Sequence, residues 1–207
     1  MRYVILQSGE SRSFPKGDAF LAGASEAGEI VVHLGTPPRK DDSRAAILIE
    51  LGMECLGVHT GEAAGEEGSN VLGFARYRNG AGAPSPLIEL VRQPRSRPEA
   101  IAAAKAMFET AGFTVVVCAD QAGRIVDRLV RPKYNAALRF LDEGLATAKD
   151  MDVTCKLGLG YRDGPIERIE RGGLADHYAV TAALFEVYGT PAYAPARRAV
   201  VAKQRSK

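Results

Sequence analysis

The sequence predicts an α/β domain with a mostly parallel sheet, residues 1–120, followed by an all-α domain, residues 121–207. Three observations predict it. Short apolar runs separated by turn and helix signals fill the first part, as in sheets whose strands are joined by crossovers. A continuous apolar run, Thr114–Cys118, closes that part. From Gly123 onward the pattern changes to long amphipathic stretches of helical period.

Tyr3–Leu6 reads as the first strand. The text after it, QSGESRSFPKGDAFLAG, departs from the G-x-G-x-x-G that lets a backbone approach a pyrophosphate at a helix N-terminus. It also lacks the G-x-x-x-x-G-K-[ST] phosphate loop, so it reads as a surface loop followed by a short helix or turn. Glu29–Gly35 is a second strand. Asp41–Leu51 reads as a helix, with Ser43 or an aspartate as cap and Gly52 as stop. Cys55–His59 is a third strand, and the loop TGEAAGEEGSN is polar, glycine-rich and expected to be mobile. Val71–Tyr77 and Leu87–Val91 are further strands, and Arg97-Pro98-Glu99 opens a helix to Gly112 with Pro near its first position. Thr114–Cys118, apolar throughout, suits a strand buried on both faces.

In the second part, Ile125, Leu129, Leu138, Leu141 and Leu145 form one apolar helix face, with Asp127, Arg131, Arg139 and Asp142 largely off it. Pro132 predicts a kink or a break between two helices. A second helix starts at Ala148–Asp152, and Gly158, Gly160 and Gly164-Pro165 punctuate a turn.

Length, a 46% hydrophobic and 25% charged composition and a net charge of +2 fit a globular protein with a real core and no polyanionic partner. Cys55, Cys118 and Cys155 are odd in number and far apart, which points to a reducing cytoplasm rather than a disulfide framework or zinc site. No run reaches the length of a membrane span, and the start is too short for a signal peptide. The basic tail ARRAVVAKQRSK reads as a frayed, solvated end. His33 and His59 read as strand-end residues and His177 as an ordinary surface or partly buried histidine; no pair has metal-ligand spacing and no Gly-x-Ser-x-Gly elbow is present.

One stretch carries a resemblance. GRIVDRLVRPKYNAALRFLDEGLAT and DMDVTCKLGLGYRDGPIER, residues 123–147 and 150–168, are similar to text reading GFIVNRLLVPYLNEAIRLLEEGVAS and DIDTAMKLGAGYPMGPFEL, which marks the C-terminal helical domain of the 3-hydroxyacyl-CoA dehydrogenases. The match runs through Arg128-Leu129, Pro132, Asn135, Glu143-Gly144, Lys156-Leu157-Gly158, Gly160-Tyr161 and Gly164-Pro165, and on to Tyr188-Gly189 and Tyr193. A weaker likeness extends over residues 70–129. The resemblance implies a shortened Rossmann-like sheet followed by the family's helical domain.

It also implies where catalysis would reside. The family's histidine base should follow Gly73-Phe74, where this chain has Ala75, Arg76 and Tyr77. Arginine stays protonated and cannot serve as a base, whereas Tyr77 could only with a strongly lowered pKa. The glutamate that orients the base aligns with Glu89, which otherwise reads as a strand-end charge paired with a nearby arginine. The family asparagine aligns with Asp127, exchanging an amide for a carboxylate, and the family's NTSS serine has no secure match, His59-Thr60-Gly61 being the nearest text. The candidate catalytic residues are therefore Glu89, Asp127 and Tyr77; no cofactor-binding or metal residues are assigned.

Three readings follow. The first is a dehydrogenase-like protein with a degenerate NAD site, a non-catalytic structural or acyl-CoA-binding module that needs no cofactor. It would form a homodimer through the helical domain or join a full-length dehydrogenase, with no nucleic acid or membrane partner. The second is an active NAD-dependent 3-hydroxyacyl-CoA dehydrogenase with an atypical site, in which Arg76, Tyr77 and Glu89 converge with Asp127 on one cleft. The third is a CoA-binding regulator using Arg76, Arg78 and Arg92.

Overall fold

In a computed structural model, described over residues 1–62 and 69–206, six strands form one sheet in chain order. They are β1 (Tyr3–Gln7), β2 (Ile30–Leu34), β3 (Ala46–Glu50), β4 (Val71–Arg76), β5 (Leu87–Arg92) and β6 (Thr114–Ala119). All neighbours pair in parallel except β4 and β5, which are antiparallel with Ala75 opposite Glu89 and Arg76 opposite Ile88. The mostly parallel sheet expected from the sequence is therefore present. Residues 63–68 of the loop expected to be mobile lie outside the described residues.

Between the strands lie α1 (Ala19–Ala22), α2 (Gly57–Thr60) and α3 (Pro98–Thr110). Among the described residues only α3 is a full crossover helix, and its Ala100, Ala104, Met107 and Phe108 pack with Leu72, Phe74, Ile88 and Leu90 in one core. Ile47, Ile49, Leu51, Leu56, Val71 and Val91 form a second core. Residues alternate between the two along β3, β4 and β5, as a pleated sheet covered on both sides requires.

Several local expectations are corrected. Residues 41–51 are not a helix: Asp41, Ser43 and Arg44 make a hydrogen-bonded turn, and β3 runs parallel between β2 and β4 with Ala46–Ile49 buried. A run buried on both faces has no alternation, so its period cannot separate strand from helix. Cys55–His59 is not a strand; it leads into α2, whose Leu56 and Gly57 N–H groups donate to the Asp120 carboxylate at 2.6 and 2.8 Å. That cap lies more than sixty residues away in the chain, beyond the reach of a local reading. β6 forms as expected but at the sheet edge, with Val116 and Val117 exposed rather than buried.

The chain divides into two units, residues Met1–Arg78 with Pro84–Arg124, and Asn79–Ala83 with Ile125–Lys207. The second unit contains α4 (Val126–Asp142), α5 (Ala148–Leu159), α6 (Pro165–Gly172), α7 (Leu174–Tyr188), a short 3-10 turn at Pro191–Tyr193 and α8 (Arg197–Arg205). Its core gathers Tyr134, Ala137, Leu138, Ile166, Ile169, Ala196 and Ala199. The basic tail, expected to fray, is α8, held by the buried Ala196 and Ala199.

Pro132 does not break α4, which runs through it. Its missing N–H frees the carbonyl of Arg128, and Tyr193 Oη approaches that oxygen at 3.5 Å. The apolar face inferred for this helix is displaced. Leu129 is 69% exposed and Leu145 68%, whereas Arg131, Tyr134, Asn135 and Leu138, at i, i+3, i+4 and i+7, face inward. Part of the buried stripe is polar, so a hydrophobicity count placed it wrongly.

Candidate functional site

The loop after β1 is where a dinucleotide fold would cradle phosphate. Here Phe14, inside that loop, is fully buried, stacked 4.2 Å from Phe20 and near Phe74, Phe108 and Phe113. Burying such a ring is worth ~2–3 kcal/mol, so the loop is held as part of the core. Glu50, at the end of β3, accepts from Ser11 Oγ at 2.9 Å and from the Ser13 N–H at 2.6 Å. At the start of α1, Asp18 accepts from the Phe20 N–H, and its other oxygen receives Arg76 Nη1 at 2.7 Å. A helix start already occupied by a carboxylate repels a pyrophosphate. These residues do not fit the diphosphate of a nicotinamide cofactor.

Arg76 is committed to this arrangement. It also donates to the carbonyls of Ser13 and Ser85, and its guanidinium lies 4.8 Å from the Phe113 ring centre. It is therefore a packing anchor, which corrects its reading as a phosphate ligand. Arg76 shares a sheet face with Phe74, Ile88 and Leu90, whereas Glu89 points to the opposite face with Val91. The convergence of Arg76 and Glu89 on one cleft does not occur.

Glu89 lies mid-strand, not at a strand end, and is 4% exposed. The arginine beside it is Arg124, 5% exposed, with Nε 3.9 Å from Glu89 Oε2. Arg124 also donates to the carbonyls of Gly52 and Glu54, tying the loop after β3 to β5. Its φ of +48° is left-handed, a conformation that costs a non-glycine residue ~1–2 kcal/mol and that these contacts must offset. Cys118 stands close enough that, after burial, the Glu89 charge is the next cause raising its thiol pKa to about 11. Tyr77, after β4, has a buried phenol oxygen with no hydrogen-bond partner among the described residues.

Asp127 belongs to the helical unit, whereas Glu89 and Tyr77 belong to the sheet unit. Its carboxylate is used within α4, accepting from Arg131 Nε at 2.8 Å. From there a directional chain crosses the buried interior. Arg131 Nη1 donates to His177 Nδ1 at 3.2 Å, which assigns the proton to Nε2. That nitrogen donates to Asn135 Oδ1 at 3.0 Å. Asn135 Nδ2 then donates to Thr181 Oγ1 at 2.7 Å and to the Ala192 carbonyl, and Thr181 donates to the Tyr193 carbonyl at 2.6 Å. His177 is only 1% exposed, so its reading as a surface or partly buried residue is corrected; burial first, then the Arg131 charge, lowers its pKa to about 3. The imidazole is neutral and committed at both nitrogens.

His33 is buried near the end of β2 with Nδ1 2.8 Å from Thr36 Oγ1, whereas His59 lies on α2 with Nε2 3.4 Å from Glu54 and so is not a strand-end residue. Sequence reasoning missed Arg124, Arg131 and His177. The signal was present for the first two: the quoted family text has Phe and Val at those positions, and a charge replacing an apolar residue in a matched segment needs a buried partner.

Residues 123–206 match the family model described as 3-hydroxyacyl-CoA dehydrogenase, C-terminal domain. A 3-hydroxybutyryl-CoA dehydrogenase of Mycobacterium tuberculosis is 32% identical over 111 residues, 53% of this chain and 39% of that protein. The human mitochondrial hydroxyacyl-coenzyme A dehydrogenase is 33% identical over 88 residues, 42% of this chain and 28% of that protein. The chain thus spans well under half the length of these curated relatives. Among solved structures, (S)-3-hydroxybutyryl-CoA dehydrogenase from Ralstonia eutropha superposes with a TM-score of 0.73 at 22% identity, over 87% of this chain and 67% of that one. A diketoreductase superposes with a TM-score of 0.65 at 16% identity, over 92% and 67%. Both likenesses concern the fold.

Proposed function

We propose that the chain, whose residues 123–206 match the C-terminal domain model of the 3-hydroxyacyl-CoA dehydrogenases, is a non-catalytic member of that family, a structural or assembly partner that retains the family's helical domain. The observation that carries this reading is the buried Glu89–Arg124 pair. The carboxylate aligned with the base-orienting glutamate faces a permanent cation, and the residues aligned with the base are Ala75, Arg76 and Tyr77. An arginine cannot accept the proton that a departing hydride leaves on an alcohol. The closed loop after β1 and the use of Asp127 by Arg131 support the same conclusion.

The partner in this reading is a second copy or a longer dehydrogenase, docked on the helical unit. Leu129, Phe140, Leu157, Leu159 and Val187 support it, large apolar side chains left exposed on α4, α5 and α7. Leu129→Glu and Leu157→Glu should shift the sedimentation equilibrium toward monomer; unchanged mass in both variants, starting from a dimer, refutes docking on this unit. Three free cysteines fit a reducing compartment such as the cytoplasm, and no helix among the described residues is long and apolar enough to cross a membrane.

The alternative is an active dehydrogenase with an atypical site. It rests on Tyr77, whose buried hydroxyl has no hydrogen-bond partner among the described residues. Calorimetric titration with NADH, alone and with acetoacetyl-CoA, separates the two. No NADH binding at millimolar ligand is the expected result. Saturable binding with loss of nicotinamide absorbance overturns the proposal, and replacing Tyr77 by Phe then tests the alternative. Heat from acetoacetyl-CoA alone supports an acyl-CoA-binding form of the non-catalytic reading.

A further inference from the structure

A cavity of about 350 Å³ opens within the helical unit between α4 and the turn joining α5 to α6. Val130, Tyr134 and Pro165 form an apolar floor, and Lys133, Arg162 and Arg168 bring three cations to its walls. The one carboxylate there, Asp163, lies 2.8 Å from Arg171 and 3.8 Å from Arg168, so it is already engaged. Neither Lys133 nor Arg162 forms an ion pair with a carboxylate within 4.0 Å among the described residues.

The walls are built rather than loose. Lys133 Nζ donates to Tyr161 Oη at 2.8 Å and sits 4.2 Å from the centre of that ring, which fixes the ammonium. Gly160, at φ +69°, ends α5 and turns the chain so that Tyr161 and Arg162 reach the cavity. Asp152 accepts from the Ile166 and Glu167 N–H groups at 2.8 and 3.0 Å and locks α6 against α5. The charges are also this chain's own. Where it has Lys133, Arg162 and Arg168, the quoted family text has Tyr, Pro and Leu, and where it has Asp163 that text has Met, within segments matched at about half their positions. Three neutral residues exchanged for cations and one for a carboxylate leave this hollow two charges more positive than the quoted family text makes it.

We propose that this cavity binds the phosphate group of a small organic phosphate monoester, with the phosphate among Lys133, Arg162 and Arg168 and the organic body on the Val130–Tyr134–Pro165 floor. The excess of two positive charges matches a dianion, arginine forks suit phosphate oxygens, and the volume suits a small metabolite. The site is separate from the Glu89 region and does not depend on whether the chain is catalytic.

The test is calorimetric titration of the full chain with adenosine monophosphate and with inorganic phosphate, at low and raised salt. Backbone amide shifts of Gly160–Gly164 provide the second readout. Adenosine monophosphate should bind saturably, more tightly than inorganic phosphate and more weakly as salt rises. Lys133→Gln and Arg162→Gln should each weaken binding roughly tenfold, while thermal unfolding stays within a few degrees. Absence of saturable binding, or affinity unchanged in both folded variants, overturns the site. Inorganic phosphate binding as tightly as the nucleotide overturns the role of the apolar floor. Nucleotide binding with unmoved Gly160–Gly164 amides overturns the location.

Discussion

His177 makes the second unit sensitive to acid, and the size of the effect follows from its surroundings. The imidazole is buried, accepts from Arg131 and donates to Asn135, so a second ring proton would stand against a guanidinium 3.2 Å away. Its pKa is lowered to about 3, first by burial and then by Arg131, from an ordinary value of 6.5 that applies once the chain unfolds. Because the folded value lies below the unfolded one, the unfolded state takes up the proton first. Stability is complete above pH 6.5 and declines as pH falls toward 3. Each pH unit in that window costs about 1.4 kcal/mol, so acidification from pH 7 to pH 4 should remove about 3 kcal/mol through this side chain. Urea unfolding at both pH values, on the parent and on His177→Gln, isolates the term, since all other carboxylates and histidines are common to both. The variant will be less stable at pH 7 but should lose about 3 kcal/mol less on acidification. An equal loss in the two proteins refutes the argument, as would a His177 ring resonance titrating near pH 6.

The Glu89–Arg124 pair yields a second expectation: Glu89→Gln leaves a buried guanidinium uncompensated and should cost about 3 kcal/mol in urea unfolding, with much of it recovered in Glu89→Gln/Arg124→Met. A cost below about 1 kcal/mol would show the pair to be incidental. Cys118, its thiol pushed to about 11 chiefly by burial and next by Glu89, should alkylate at pH 8 roughly a hundredfold more slowly than a thiol at the reference value of 9.0, and faster in Glu89→Gln; peptide mass mapping against time reads both. Asp152→Ala removes both acceptors at the start of α6 and should lower the midpoint of thermal unfolding by a few degrees, corresponding to ~1–2 kcal/mol.

The strands that alternate or sit beside clear turns were legible: β2, β4 and β5 lie where their apolar runs predicted, and α3 begins at the Pro98 that marked its first turn. The helical unit was legible because its matched text retains the punctuation at Gly144, Gly160 and Gly164-Pro165. Residues 46–50 were misread because a fully buried strand lacks a period, and residues 55–59 because their cap comes from Asp120. The candidate site was legible only as positions. That Glu89 and Asp127 are each paired with an arginine depends on which side chains share a face, and Asp127 and Arg131 were placed largely off the apolar face of their helix.

By itself the sequence determined the division into a sheet part and a helical part, the likeness of the helical part to the 3-hydroxyacyl-CoA dehydrogenase C-terminal domain, and the absence of a phosphate loop after the first strand, because these depend on local pattern and residue identity. Only the tertiary structure decided the sheet-edge position of β6, the Phe14 packing that closes the first loop, and the buried chain from Asp127 to Tyr193. The physical reason is range. Period and composition are set by neighbours along the chain, whereas much of the burial and pairing is set by residues far along it, as Arg124 with Glu54 and Arg131 with His177 show, brought close by the same apolar surfaces whose pattern the sequence shows.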